Sequence, residues 1–289
     1  MKRTTSYTFN TCKKCLFYLL FILSGLLFVP CTVIKAQGNL LLFPKRVVFE
    51  DGKKTENVNL TNIGKDTATY KISFTQIRMD ENGKFVNIAV PDSNQLFADE
   101  YIRYYPRVVT LAPNESQIIK LQLKKSNGLA PGEYRSHLYF RAEKTPDPLG
   151  TNSVQTDTGK VSVKITALFG ISIPTIIRVG KSTTKVSISD LSFVRTNDSI
   201  PQLRMVFNRS GNMSTYGNII VNYIAPDGKI TKVAQANGFA LYTPGKLRKT
   251  ILNLQEPSGV DYSKGRLTVS YTTPPEAKNL RLAEAGLTL

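Results

Sequence analysis

The chain has no tryptophan, a single histidine and three cysteines in 289 residues, and it carries 21 acidic side chains against 38 basic ones. Each scarcity removes a class of chemistry. All three cysteines (Cys12, Cys15, Cys31) fall in the first 36 residues, so the remainder can build no disulfide framework and offers no thiol nucleophile. One histidine leaves little that titrates or attacks near neutral pH. In Tyr134-Arg135-Ser136-His137-Leu138-Tyr139-Phe140 it shares a face with Arg135, Tyr139 and Arg141, opposite Leu138 and Phe140, and reads as a surface residue. Ser136 points the other way and no nucleophile-elbow pattern exists, which argues against a Ser-His-Asp hydrolase. A metal could be held only by carboxylates, and the nearest run, Asp80-Glu81-Asn82-Gly83, is more simply a turn. No glycine-rich phosphate cradle precedes a helix. The chain therefore reads as a binding protein with no cofactor and no metal, not as an enzyme.

What is present begins with Lys2, Arg3, Lys13 and Lys14, an uncharged apolar run from Cys15 to Val33, and then Ile34-Lys35-Ala36-Gln37. Basic, apolar and small residues in that order read as a secretory signal (1–36) cleaved after Ala36. The run is also long enough for an uncleaved anchor; a lipid on Cys31 is disfavoured by Pro30 before it. Removing this segment, with five basic and no acidic groups, takes the net charge from +17 to +12. Lysines and arginines are scattered without a basic run beside aromatics, so a solvated basic surface is the reading and nucleic acid is not an expected partner.

Short alternating runs recur beyond residue 37: Val58-Leu60, Tyr70-Ile72-Phe74, Ile119-Leu121-Leu123, Leu138-Phe140, Leu203-Met205-Phe207, Ile219-Val221-Tyr223 and Leu267-Val269-Tyr271. Turn formers stand between them, among them Asn82-Gly83, Pro113-Asn114, Pro131-Gly132 and Pro226-Asp227-Gly228. Many short strands with no helical period predict an all-β chain of immunoglobulin-like sandwiches. Lacking the tryptophan and the intersheet cystine of antibody domains, each sandwich must be held by apolar burial alone. A fresh set of runs after Val179-Gly180-Lys181-Ser182 puts a domain boundary there, giving domains at 37–180 and 181–289. Residues 144–160, rich in Pro, Gly and Thr, read as a long mobile loop.

One stretch stands out. From Val161 to Ile173 every odd position is apolar (Val161, Val163, Ile165, Ala167, Phe169, Ile171, Ile173), the period of a strand with one continuous apolar face. At roughly 3.3 Å per residue it would run about 40 Å, longer than most sheets can pair. The surplus can serve another polypeptide as a missing strand. Two ordinary core strands divided at Gly170, or one strand crossing between domains, account for the same pattern.

The residues resemble the periplasmic pilus-assembly chaperones, the PapD-like family. LLLFPKRVVFEDGKKTENVNLTNIG is similar to their first two strands, and RYYPRVVTLAPNESQIIKLQLK followed by LAPGEYRSHLYFRAE to their fourth to sixth. The 144–160 loop and the alternating strand fall where that family has its subunit-binding loop and seventh strand. The resemblance implies two immunoglobulin-like domains arranged as a boomerang, and a chaperone that donates its seventh strand to an incomplete subunit. The donated side chains would be Val163, Ile165, Ala167 and Phe169, with Ile171 and Ile173 continuing the series or entering the chaperone's own core. It further implies that Arg46, in KRVVF, holds a subunit's terminal carboxylate. A second basic anchor would fall near Pro174 or Thr175, where this chain has no lysine; Arg178 lies beyond and Lys164 before. Pro174 lacks a backbone donor, so pairing should weaken there. The implied setting is the periplasm, the implied partners are exported pilus or surface-fibre subunits and an outer-membrane usher, and two such chains could pair their long strands as a self-dimer. A structural or adhesive immunoglobulin-like module of the envelope is the competing reading.

Overall fold

The computed structural model describes residues 40–50, 52–124, 128–143, 169–195 and 200–289. The signal-like segment, the 144–160 loop and most of the alternating stretch lie outside them. Residues 37–289 form one compact unit, and among its described residues the elements are strands, with two single turns of 3-10 helix.

The first eleven strands are β1 (Leu40–Phe43), β2 (Val47–Phe49), β3 (Thr55–Asn62), β4 (Ala68–Thr75), β5 (Ile77–Met79), β6 (Phe85–Asn87), β7 (Ile102–Tyr105), β8 (Val108–Leu111), β9 (Ser116–Leu123), β10 (Gly132–Ala142) and β11 (Gly170–Val179). They make one sheet in the order β1-β3-β9-β7, a second in the order β2-β11-β10-β4-β8, and a separate β5-β6 hairpin. This is the immunoglobulin-like pairing of a four-stranded sheet with one built around the last strands of the sandwich. The chain passes from one sheet to the other between β1 and β2 and again between β7 and β8. The cis peptides Phe43-Pro44 and Tyr105-Pro106 sit at these two crossings.

The inward positions follow the period of two seen in the sequence. Val58, Leu60, Tyr70, Ile72, Ile119, Leu121, Leu138 and Phe140 are each at most 2% exposed and share one core. Buried aliphatic and aromatic side chains of this size each stabilise by about 1.5–3 kcal/mol relative to exposure. At the end of β3 the buried Asn62 serves the turns beside it: Nδ2 donates to the carbonyls of Asp66, Leu111 and Ala112 at 2.8, 3.0 and 3.2 Å, and Oδ1 accepts from Gly64 N at 2.9 Å.

The later strands are β12 (Lys185–Val194), β13 (Gln202–Ser210), β14 (Thr215–Ile224), β15 (Ile230–Leu241), β16 (Leu247–Asn253), β17 (Arg266–Thr272) and β18 (Arg281–Thr288). Their sheets run β12-β13-β16 and β15-β14-β17-β18, and neither contains an earlier strand. Between them Leu203, Phe207, Ile219, Val221, Leu267, Val269 and Tyr271 are fully buried. Rings do the work a cystine would otherwise do: Phe207 lies 4.7 Å from Phe239 and 5.4 Å from Tyr271.

Candidate functional site: an open strand edge beside a basic cleft

Strand β11 has a partner on both sides over only part of its length. On one side it pairs antiparallel with β10 from Gly170↔Arg141 to Val179↔Gly132. On the other it pairs with β2 only at Thr175, Ile176 and Ile177. Residues 170–174 therefore present an edge with no neighbouring strand among the described residues.

The register says which groups that edge offers. Ala142 N donates to Phe169 O at 3.0 Å, and hydrogen-bonded and non-bonded pairs alternate along an antiparallel ladder. Phe140↔Ile171 and Leu138↔Ile173 are then bonded pairs. Gly170, Ser172 and Pro174 turn their backbone groups outward. The donor Pro174 lacks would have faced the open edge, so the ladder to β10 runs through His137↔Pro174 uninterrupted. The expected weakening at Pro174 falls on the outer side alone. An added strand finds donors at Gly170 and Ser172, loses one at Pro174, and meets β2 immediately after.

The odd-numbered side chains follow the same progression. Ile177 and Ile173 are 1% and 4% exposed and belong to the core of the first sandwich, whereas Ile171 and Phe169 are 38% and 50% exposed. Ile173 is thus core and is removed from the candidate donor residues; Ile171 and Phe169 carry the apolar row out to the surface. Val163, Ile165 and Ala167 lie outside the described residues.

Arg46 stands just before β2, alongside Pro174. It lines a cleft of about 740 Å³ between the two sandwiches with Phe43, Val48, Arg178, Tyr216 and Leu282. Its guanidinium carbon lies 4.7 Å from the Tyr216 ring centroid, and buried Nη1 has no hydrogen-bond partner. Burial, and secondarily the nearby Arg178 charge, lower its pKa, while the dipoles and charges of Tyr242 and Glu133 oppose that shift.

Arg178 faces the seam differently. Its Nη2 donates to Ser214 O at 2.9 Å, Nη1 to Glu50 Oε2 at 3.1 Å and Nε to Glu133 Oε2 at 3.4 Å. Glu133 is the one carboxylate buried among the described residues. It accepts from Ser214 N at 2.9 Å, from Ser214 Oγ, and from Thr243 Oγ1 at 3.3 Å. Arg135 is buried too: Nη1 and Nη2 donate to the carbonyls of Ile77 and Thr243 at 3.3 and 2.9 Å, and its guanidinium covers the Tyr242 ring at 4.4 Å. Arg46, Arg135 and Arg178 thus share the buried Glu133 and the more exposed Glu50, both already committed to partners, leaving one positive charge in excess at the seam. An unpaired buried cation is costly, and Arg46, with its free N–H at the cleft, is where an anion would relieve it.

His137 corrects the sequence reading. It is 3% exposed, not on the surface, because Phe85 and Tyr242 close over it with ring centroids at 5.8 and 6.4 Å. Neither ring nitrogen has a hydrogen-bond partner among the described residues. Burial, reinforced by the Arg135 charge, lowers its pKa from 6.5 to about 3. The sequence places His137 on the outer face of its strand; that a second sandwich covers this face is not written locally. The pairing of Glu133 with Arg178 and Ser214 and the tyrosine faces beneath the arginines have no local signal either, since the partners lie from 36 residues apart (Arg178 and Ser214) to 170 (Arg46 and Tyr216).

No protein-family model matches the chain, and no curated relative does. Solved structures do. The YadV chaperone is 11% identical over 87% of this chain and 100% of that one, with a TM-score of 0.41. The class 5 fimbriae chaperone CfaA is 18% identical over 86% and 98%, also at 0.41. The Salmonella enterica SafB chaperone, solved in complex with the SafA pilin, gives 12% over 88% and 98%, at 0.40.

Proposed function

We propose that this protein is a chaperone of the cell envelope that binds exported fimbrial or surface-fibre subunits by strand donation and delivers them for assembly at the outer membrane. The observation that carries the reading is the open edge of β11 at residues 170–174, with Phe169 and Ile171 exposed on the same apolar row that Ile173 carries into the core. An incomplete immunoglobulin-like subunit has the complementary defect, an unpaired edge and an apolar groove. Val163, Ile165 and Ala167 extend the donor row, and Arg46 receives the subunit's terminal carboxylate through a guanidinium fork suited to it. The division into domains at 37–180 and 181–289, the cleaved signal and the periplasmic setting belong to the same proposal, as do an usher partner and a self-dimer that hides two open edges.

The test is affinity capture from the envelope of the source cells, comparing the unaltered protein with its Phe169→Glu variant. Small immunoglobulin-like subunits should be recovered by the unaltered protein alone. The same partners on both forms, or none on either, would defeat strand donation and leave a structural module.

A further inference from the structure

The β5–β6 hairpin belongs to the first sandwich in sequence, yet it touches both sandwiches, its turn resting on the second. Its turn is built locally: Asp80 Oδ1 accepts from Asn82 N and Lys84 N at 2.9 and 2.8 Å, and Gly83 takes a φ of 79°. The turn then meets β16, an edge strand whose one sheet neighbour is β13. Lys249 N on that edge donates to Glu81 O at 2.6 Å, and Lys249 Nζ lies 3.1 Å from Glu81 Oε2. Gly83 packs so closely on Arg248 that a Cβ there would sit 2.6 Å from Nε and Nη2. Arg248 is itself fixed, with Nη1 donating to Ala240 O at 2.8 Å and its guanidinium 4.1 Å from the Phe239 ring centroid.

The strands of the hairpin make a second set of contacts nearer the cleft. Met79 packs on Ile176, Ala240 and Tyr242, and Phe85 covers His137 and Tyr242. Arg135 bonds the Ile77 carbonyl with one nitrogen and the Thr243 carbonyl with another, so a buried guanidinium joins hairpin and second sandwich.

We infer that the β5–β6 hairpin is a latch fixing the angle between the two sandwiches, and with it the spacing of Arg46 from Tyr216 across the cleft. One edge hydrogen bond, one glycine that admits an arginine, and one apolar plug span the seam together. Each is individually modest, but all must break for the sandwiches to turn. The latch also covers part of a strand edge that would otherwise stand open.

Spin–spin distances test this in the full chain. With Cys12, Cys15 and Cys31 replaced by serine, Lys120→Cys and Lys229→Cys, both exposed, give one label on each sandwich. The parent should show a single narrow distance. Lys249→Pro removes an outward-facing N–H from an edge strand, a place that tolerates proline, and Gly83→Val drives the turn off Arg248. Together they should broaden the distribution at least twofold with secondary structure retained. An already broad parent, or an unchanged width in this double variant, overturns the latch. If the double variant fails to fold, Met79→Ala with Phe85→Ala is read by the same criterion.

Discussion

Lowering the pH from 7 to 5 should weaken this protein through His137 in particular. The folded ring, its pKa pushed down to about 3 by burial and by Arg135, stays neutral across that interval. In the unfolded chain the same ring titrates at its ordinary value of 6.5. Above pH 6.5 neither state takes the proton. Below it the unfolded state does and the folded state does not, so stability falls with falling pH until the folded pKa is reached. The slope approaches about 1.4 kcal/mol per pH unit, and the loss between pH 7 and pH 5 comes to about 2 kcal/mol. In a urea titration followed by far-ultraviolet circular dichroism, the midpoint should drop by roughly 1 M. His137→Phe fits beside Phe85 and Tyr242, leaves no orphaned nitrogens, and should flatten the dependence over this range. Asp261, held near 2 by hydrogen bonds from Ser263 and Lys264, adds acid sensitivity only below pH 4. Equal slopes between pH 7 and 5 for the parent and His137→Phe would refute the argument, as would a directly measured His137 pKa near 6.

Three further outcomes follow from the seam and the cores. Glu133→Ala leaves Arg178 with Glu50 as its one carboxylate and removes the buried acceptor of Ser214 and Thr243; a loss of about 1–3 kcal/mol should appear in denaturant unfolding. Arg46→Met replaces a buried, partly unpartnered cation by an apolar side chain, so the melting temperature should hold or rise. The same variant should bind a synthetic donor-groove peptide with a free carboxylate about 10–100-fold more weakly, with little change for its C-terminal amide; equal losses on both peptides would remove Arg46 from carboxylate recognition. Phe140→Ala opens a cavity in the first core and should cost about 3–5 kcal/mol by denaturant unfolding, against less than about 0.5 kcal/mol for the half-exposed Phe169→Ala.

Alternation in the sequence determined most of the fold. Val58, Leu60, Ile119, Leu121, Leu138 and Phe140 read as inward, and all are buried, because a strand's side chains alternate strictly and one face must leave water. The same rule placed Phe169, Ile171 and Ile173 on one row, while turn-forming residues marked the Asp80 to Gly83 run as the turn it is. It could not say where along that row core gives way to surface, since this depends on β2 pairing with β11 at three residues and no more. Nor could it say that the outer face of β10 is dry. Arg135 and His137 alternate as solvent-facing residues do, and only the second sandwich and the β5–β6 hairpin bury them. Local periodicity is a property of neighbours in the chain, which the sequence states directly; the seam, the free Nη1 of Arg46 and the edge of β11 that no described strand covers depend on which distant surfaces meet and which stay apart, and that is decided by packing in three dimensions.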